Sequence, residues 1–342
     1  MGEVTYDYDF FEDPYMAQWW YCTECGAHIR INKVREHMAK TGHREDYLRD
    51  TFCDVLLPEI FEPSWEDKSD QRKAYETILK KTAQNLQLIG QHYSMMQLRN
   101  FLEERDCIII GAGPSLKAND HLGLLVDYQN SYTPRDFIVT DRSLIPALEA
   151  GLDPKLNNIF VNTLDDKQEI VTKFYTHDLI RENWEHIKFL FATNVDPSLP
   201  TAIDMLGADI HWYHPMRDYN NGEVSIDKIL RLMFTAVGSE PLPIISDTGN
   251  VGGCSWMLAH SVMNAKRTIL IGMDMEIKND KKYTEEEKDN FKKQSDQFSY
   301  YRVAFYYHLN RYRYNTINCT EGGALQDPLL KSMKFQEYLD SS

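Results

Sequence analysis

Gly111, Gly113, Pro114 and Ser115 follow a run of apolar residues in Cys107-Ile-Ile-Ile-Gly-Ala-Gly-Pro-Ser-Leu-Lys. Four apolar residues read as a buried parallel strand, the glycines as a tight turn, and Pro114-Ser115 as a helix start. Such a unit aims free backbone N–H groups and the positive end of a helix dipole at one point, which suits a phosphate. It is not a Walker loop, because Lys117 follows Leu116 and no Ser or Thr comes after it. Nor is it a dinucleotide fingerprint, because Leu116 stands where the third glycine belongs.

A second set of residues points to metal. Cys22-x2-Cys25-x11-His37-x5-His43 lies close to the Cys2His2 spacing of a structural zinc site, with Trp20, Ile29 and Val34 as supporting apolar positions. The gap before His37 is one residue short of the usual twelve or so. The spacing predicts a zinc-bound ββα unit over residues 20–45. Its basic residues, Arg30, Lys33, Arg35, Lys40 and Arg44, form only a modest face. A single finger rarely holds DNA alone, so a protein partner is expected there rather than nucleic acid.

The elements that position this chemistry are legible from periodicity. Residues 1–19 form an acidic arm, and residues 46–104 a helical linker region in which Gly90 divides two helices. Short apolar strands then alternate with helices: Cys107–Ile110, Asp136–Thr140, Asn158–Val161, Lys188–Ala192, Asp209–Tyr213, Pro243–Ser246 and Thr268–Ile271. Leu144–Ala150, Ile226–Val237 and Ser255–Asn264 read as intervening helices. That grammar predicts an α/β, Rossmann-like, doubly wound and mostly parallel sheet over 105–276. A charged insertion and a helical segment packing on the core complete the chain over 277–342, including a long aromatic helix from Phe291 to about Tyr312.

Ligands in open α/β sheets sit beyond the carboxyl ends of the strands. Those ends carry Gly111–Ser115, Asp141, Asn162 with Asp165, Asn194, His214, Asp247 to Asn250, and Asp274. Asp and Asn also favour turns and caps wherever strands end, so the collection argues more than any member. The aromatic helix reads as packing, with Arg302 or Arg311 within reach of the cleft. Glu321-Gly322-Gly323 reads equally as a turn beside the ligand or as a plain structural turn.

Composition narrows the partners. The formal net charge is −15 at pH 7, and such a body repels nucleic-acid backbone over most of its surface. No apolar run approaches the roughly 20 residues that span a bilayer, and the acidic N-terminus is unlike a signal peptide. A cytoplasmic location follows as the expectation. Six cysteines are too few for a disulfide scaffold in 342 residues. Cys53, Cys107, Cys254 and Cys319 read as reduced thiols in or near the core.

Gly111-Ala-Gly-Pro-Ser-Leu116 resembles the Gly-x-Gly-Pro-Ser-Leu turn of the 6-hydroxymethylpterin pyrophosphokinase-like domain, which also occurs in motility-associated glycosyltransferases. Bacterial CMP-sialate sialyltransferases carry a similar turn. Phe137–Asp141 with Ala150–Pro154, Thr248–Gly252, Leu270–Asp274 and Thr320–Ala324 resemble further segments of that domain in the same order, over roughly residues 85–330. The resemblance implies a nucleotide-using transferase. In the first version a pterin-like alcohol takes a diphosphate from ATP with Mg2+ held by Asp141 and Asp274, then Asp165. Gly111, Gly113, Pro114 and Ser115 form the phosphate turn, and Asn250 and Glu321 stand beside the ligand. In the second version a CMP-sugar is the donor, His214 the base and Tyr213 a phosphate donor. A catalytically idle nucleotide-binding adaptor is the third.

Overall fold

The computed structural model describes residues 19–22, 28–30, 39–40, 48–50, 68–129, 134–165, 175–216, 226–276 and 291–341. Near the N-terminus β1 (Trp19–Cys22), β2 (His28–Arg30) and β3 (Leu48–Asp50) form a small antiparallel sheet with β1 in the middle. β1 and β2 pair as the first two strands of a ββα unit would, and β3 adds a third strand on the other side. Cys25, His37 and His43 lie outside the described residues, and Cys22 is placed by its backbone alone.

The main body begins with α1 (Lys68–Gln91), β4 (Tyr93–Ser94), β5 (Asp106–Ile110), α2 (Ser115–Ala118), α3 (His121–Gln129) and β6 (Asp136–Thr140). It continues with α4 (Asp141–Ala150), β7 (Asn158–Thr163), α5 (Asp178–Asn183), β8 (Ile187–Ala192), α6 (Ser198–Asp204) and β9 (Ile210–Pro215). Then come α7 (Ile226–Ala236), β10 (Ile244–Ile245), α8 (Val251–Ser261) and β11 (Arg267–Ile271). The chain closes with α9 (Phe291–Tyr312), β12 (Thr316–Asn318), β13 (Lys331–Ser332) and α10 (Phe335–Ser341).

These strands build one sheet in the order β10-β9-β8-β7-β6-β5-β11-β12-β13, with β4 also on β9, and every described pairing in it is parallel. Burial on both faces explains the unbroken apolar runs Ile108–Ile110, Phe137–Val139, Phe189–Ala192 and Ile269–Ile271. The sheet is therefore α/β and doubly wound. From β5 the chain lays strands outward on one side through β9, then returns to place β11 on the other side. The order reverses between β5 and β11, and this is where such sheets hold ligands.

α8 is buried from Gly252 to His260, because α9 covers the face that the sheet does not. Trp256 of α8 and Phe305 of α9 meet at a ring-centroid distance of 4.3 Å. A helix wrapped this way is apolar all round. α1 also belongs to the body. Asn85 donates from Nδ2 to the Thr193 and Val195 carbonyls at 3.0 and 2.9 Å. Gly90 does not divide two helices: α1 runs through it to Gln91, and a Cβ there would meet the Val237 carbonyl oxygen at 2.7 Å. Cys107, Cys254 and Cys319 are buried thiols outside any disulfide among the described residues. Among the described residues no helix is long and apolar enough to cross a membrane.

Candidate active site

At the switch point the two strand exits are zipped together by backbone. Gly111 N–H donates to the Ile271 carbonyl and Gly113 N–H to the Gly272 carbonyl, both at 2.8 Å. Gly272 sits at φ +64°, and a Cβ there would reach the Gly111 carbonyl oxygen at 2.6 Å. A Cβ on Gly113 would run into the Asp274 carboxylate. These glycines are thus required by the close approach of two backbones.

Asp274 folds back onto the helix start. It accepts from Ser115 Oγ at 2.6 Å and from Ser115 N–H at 3.2 and 3.3 Å to its two oxygens. Burial pushes its carboxyl above the usual carboxylate range, while the Ser115 hydrogen bonds oppose that. Gly322 and Gly323 close the other side, where a Cβ on Gly323 would strike the Asp274 backbone. Pro114 precedes α2 and makes no side-chain cap.

Asp141 opens α4, just past β6. It is 4% exposed and its Oδ1 accepts from Arg142 N–H at 2.7 Å. Burial raises its carboxyl to about 7, with the Asp165 charge adding to the rise and Arg142 opposing it. β5 separates β6 from β11, so Asp141 and Asp274 follow strands that are not neighbours in the sheet. Among the described residues no group of three or more His, Cys, Asp or Glu side chains is placed to hold a metal ion. Asp141 and Asp274 form no complete magnesium cage by themselves; a magnesium ion held by one or two carboxylates would take its other ligands from nucleotide phosphates and water.

The start of α8 lies beside the same point. Met273 fills the space between Gly111 and Gly252, where a Cβ on either glycine would meet its sulfur. Asn250 is the N-cap: its Oδ1 accepts from Gly253 N–H at 2.9 Å. On the neighbouring strand, Asn162 Nδ2 donates to Ser255 Oγ at 3.0 Å, and Tyr213 OH donates to Asn162 Oδ1 at 2.9 Å. This network pins α8 to β7 and β9.

His214 stands elsewhere, on the face of β9 that packs against α7. Its Nδ1 meets Thr193 Oγ1 at 2.8 Å and its Nε2 meets Asp227 Oδ1 at 2.9 Å. Both ring nitrogens are therefore engaged inside the core. His211 lies on the other face, stacked on Tyr93 at 5.4 Å, and burial lowers its imidazole to about 4. Glu321 accepts from Phe335 N–H at 2.8 Å and faces His121 at 3.4 Å, so it braces the start of α10. Beyond Gly322 and Gly323 a cleft of about 760 Å³ opens, walled by Asn318, Gln326, Lys334 and Glu337.

Several neighbours of this site make contacts that the sequence pattern does not show. Of the two arginines expected within reach of the cleft, Arg302 donates from Nη1 to the Met275 carbonyl at 2.7 Å, whereas Arg311 sits nine residues further along α9 beside Tyr307 and Tyr312. Tyr300 and Tyr301 press on Gly249, which has φ +80°. Thr248 has φ +50°, a conformation that β-branched residues avoid. The sequence places Asp247 to Asn250 past a strand end and Thr248–Gly252 in a family-like segment, but it does not show this backbone conformation. No curated protein matches the chain. Residues 80–280 match the family model described as 6-hydroxymethylpterin diphosphokinase MptE-like, and the chain belongs to that family.

Proposed function

We propose that the chain is a nucleotide-dependent transferase that moves a diphosphate from ATP to the alcohol of a hydroxymethyl-pterin-like acceptor. The observation that supports it is the meeting at one switch point of the Gly111–Gly272 backbone crossing, Asp274 and the start of α8, in a chain of the MptE-like family. The acceptor oxygen attacks the β-phosphorus, the bond from that phosphorus to the bridging oxygen breaks, and AMP leaves. The alcohol proton needs a base.

Asp141 suits that role, because a carboxyl raised to about 7 by burial accepts a proton near neutral pH. Catalysis otherwise consists of holding two reactants in line and excluding water. Magnesium accompanies ATP phosphates in such chemistry, but the described carboxylates form no cage for it, and no step here depends on one.

The sugar-transfer reading has less support. Its base would be His214, which lies under α7 with both nitrogens engaged. Offering the full chain ATP and a hydroxymethyl pterin, with and without magnesium chloride, separates the readings. Diphosphate transfer requires AMP and the diphosphate ester in equal amounts. Formation of ADP, or binding of CMP without ATP, overturns it; binding of ATP without turnover favours the adaptor.

The zinc-bound finger at Cys22, Cys25, His37 and His43 also stands as a proposal, supported by its spacing and by the antiparallel β1–β2 pair. One equivalent of zinc in the purified chain, lost on Cys25→Ser, is the expected result, and a metal-free chain sinks the idea.

A further inference from the structure

An anion arriving at the glycine turn finds few donors left. Gly111 and Gly113 give their N–H groups to β11 and its exit, Ser115 gives N–H and hydroxyl to Asp274, and Pro114 has no N–H. α2 itself has only four residues. A carboxylate occupies the place where a phosphate would sit.

The start of α8 is the opposite case. It opens an eleven-residue helix whose first turn leaves N–H groups without intrahelical acceptors. Asn250 takes Gly253 N–H through its side chain and Cys254 N–H through its carbonyl. The N–H groups of Val251 and Gly252 have no acceptor among the described residues. The one carboxylate in the preceding loop, Asp247, turns its Oδ1 to Gly249 N–H at 2.9 Å.

Thr248 adds an independent observation. It is 2% exposed, and its hydroxyl has no hydrogen-bond partner among the described residues. That hydroxyl lies against the first turn of α8, where a side chain on Gly253 would collide with it. An unpaired buried hydroxyl is costly, and so is a β-branched residue at φ +50°. Two unfavourable terms at one residue beside two free N–H groups point to a ligand that relieves them. Arg302, held at the same edge by the Met275 carbonyl, brings positive charge.

We infer that the Thr248 hydroxyl and the Val251 and Gly252 N–H groups form the site for a phosphoryl group of the donor nucleotide. This rests on the nucleotide-donor reading and moves the phosphate from the Gly111–Ser115 turn to α8. The hydroxyl donates to a phosphoryl oxygen, and the helix dipole favours the negative charge.

Calorimetric titration of the full chain with inorganic pyrophosphate and with ATP tests it, using Thr248→Val, Thr248→Ser, Thr248→Gly and Ser115→Ala. Losing a hydrogen bond to a charged group should weaken both ligands about tenfold in Thr248→Val. Thr248→Ser should keep the affinity, because it keeps the hydroxyl. Thr248→Gly relieves the backbone and lacks the hydroxyl, so it should melt higher yet bind weakly, which covers the case in which the valine variant fails to fold. Unchanged affinity in Thr248→Val or Thr248→Gly overturns the site. If Ser115→Ala alone loses ATP, the nucleotide reading survives with its phosphate at the glycine turn. If the unmodified chain binds neither ligand, both fall.

Discussion

Asp141 shows how burial alone can set a residue's chemistry. Its carboxyl is raised to about 7 chiefly because the charged form is taken out of water. In the unfolded chain the same group ionises near its ordinary value, about 4. Between those values the folded state holds a proton that the unfolded state has released. Stability therefore falls as pH rises through that window and levels off above about 7. Asp141→Asn removes the cost of charging and should stabilise the fold at alkaline pH by an amount of the order of 2–4 kcal/mol. Below about 4 the gain should vanish, since both states are then protonated. Melting curves across that range decide the matter, and a gain independent of pH contradicts the assignment. If Asp141 is also the base, the more stable variant should be the inactive one. Asp274 differs because its Ser115 hydrogen bonds oppose the same burial.

At the scale of elements, the central strands and their carboxyl-end residues were legible because two-faced burial writes a continuous apolar run. Asp136–Thr140 was read to the residue, and Phe291–Tyr312 likewise. Short edge strands carry no such signature. β12 has three residues and β13 two, and β13 is exposed, so neither rises above a loop pattern. Periodicity alone starts α8 four residues late, at Ser255 rather than Val251, because Gly252 and Gly253 look like helix breakers. Packing explains them: Met273 and Thr248 occupy the space that side chains there would need. Asn250, expected beside the ligand, caps α8 with its side chain, a role that its place at a helix start allows. The Ser115–Asp274 contact spans 159 positions along the chain, a separation that local patterning does not reach.

For the whole molecule, the residues that match the family end at 280, yet Asp274 is enclosed by Gly322 and Gly323 and the sheet continues through β12 and β13. The site therefore needs the C-terminal segment as well as the matched core. The entire chain also imposes an electrostatic condition on its donor. A body of net charge −15 repels a free nucleotide anion at distances where local hydrogen bonds do not act. Salt screens that repulsion, with a Debye length of about 8 Å at 0.15 M ionic strength. Association of magnesium-free ATP should then speed up as ionic strength rises from a few millimolar to about 0.15 M. Dissociation, governed by short-range contacts, should change less. Stopped-flow rates with a fluorescent ATP analogue measure both. An association rate that falls with salt would mean that a cationic patch near the site, with Arg302 at its centre, outweighs the acidic body.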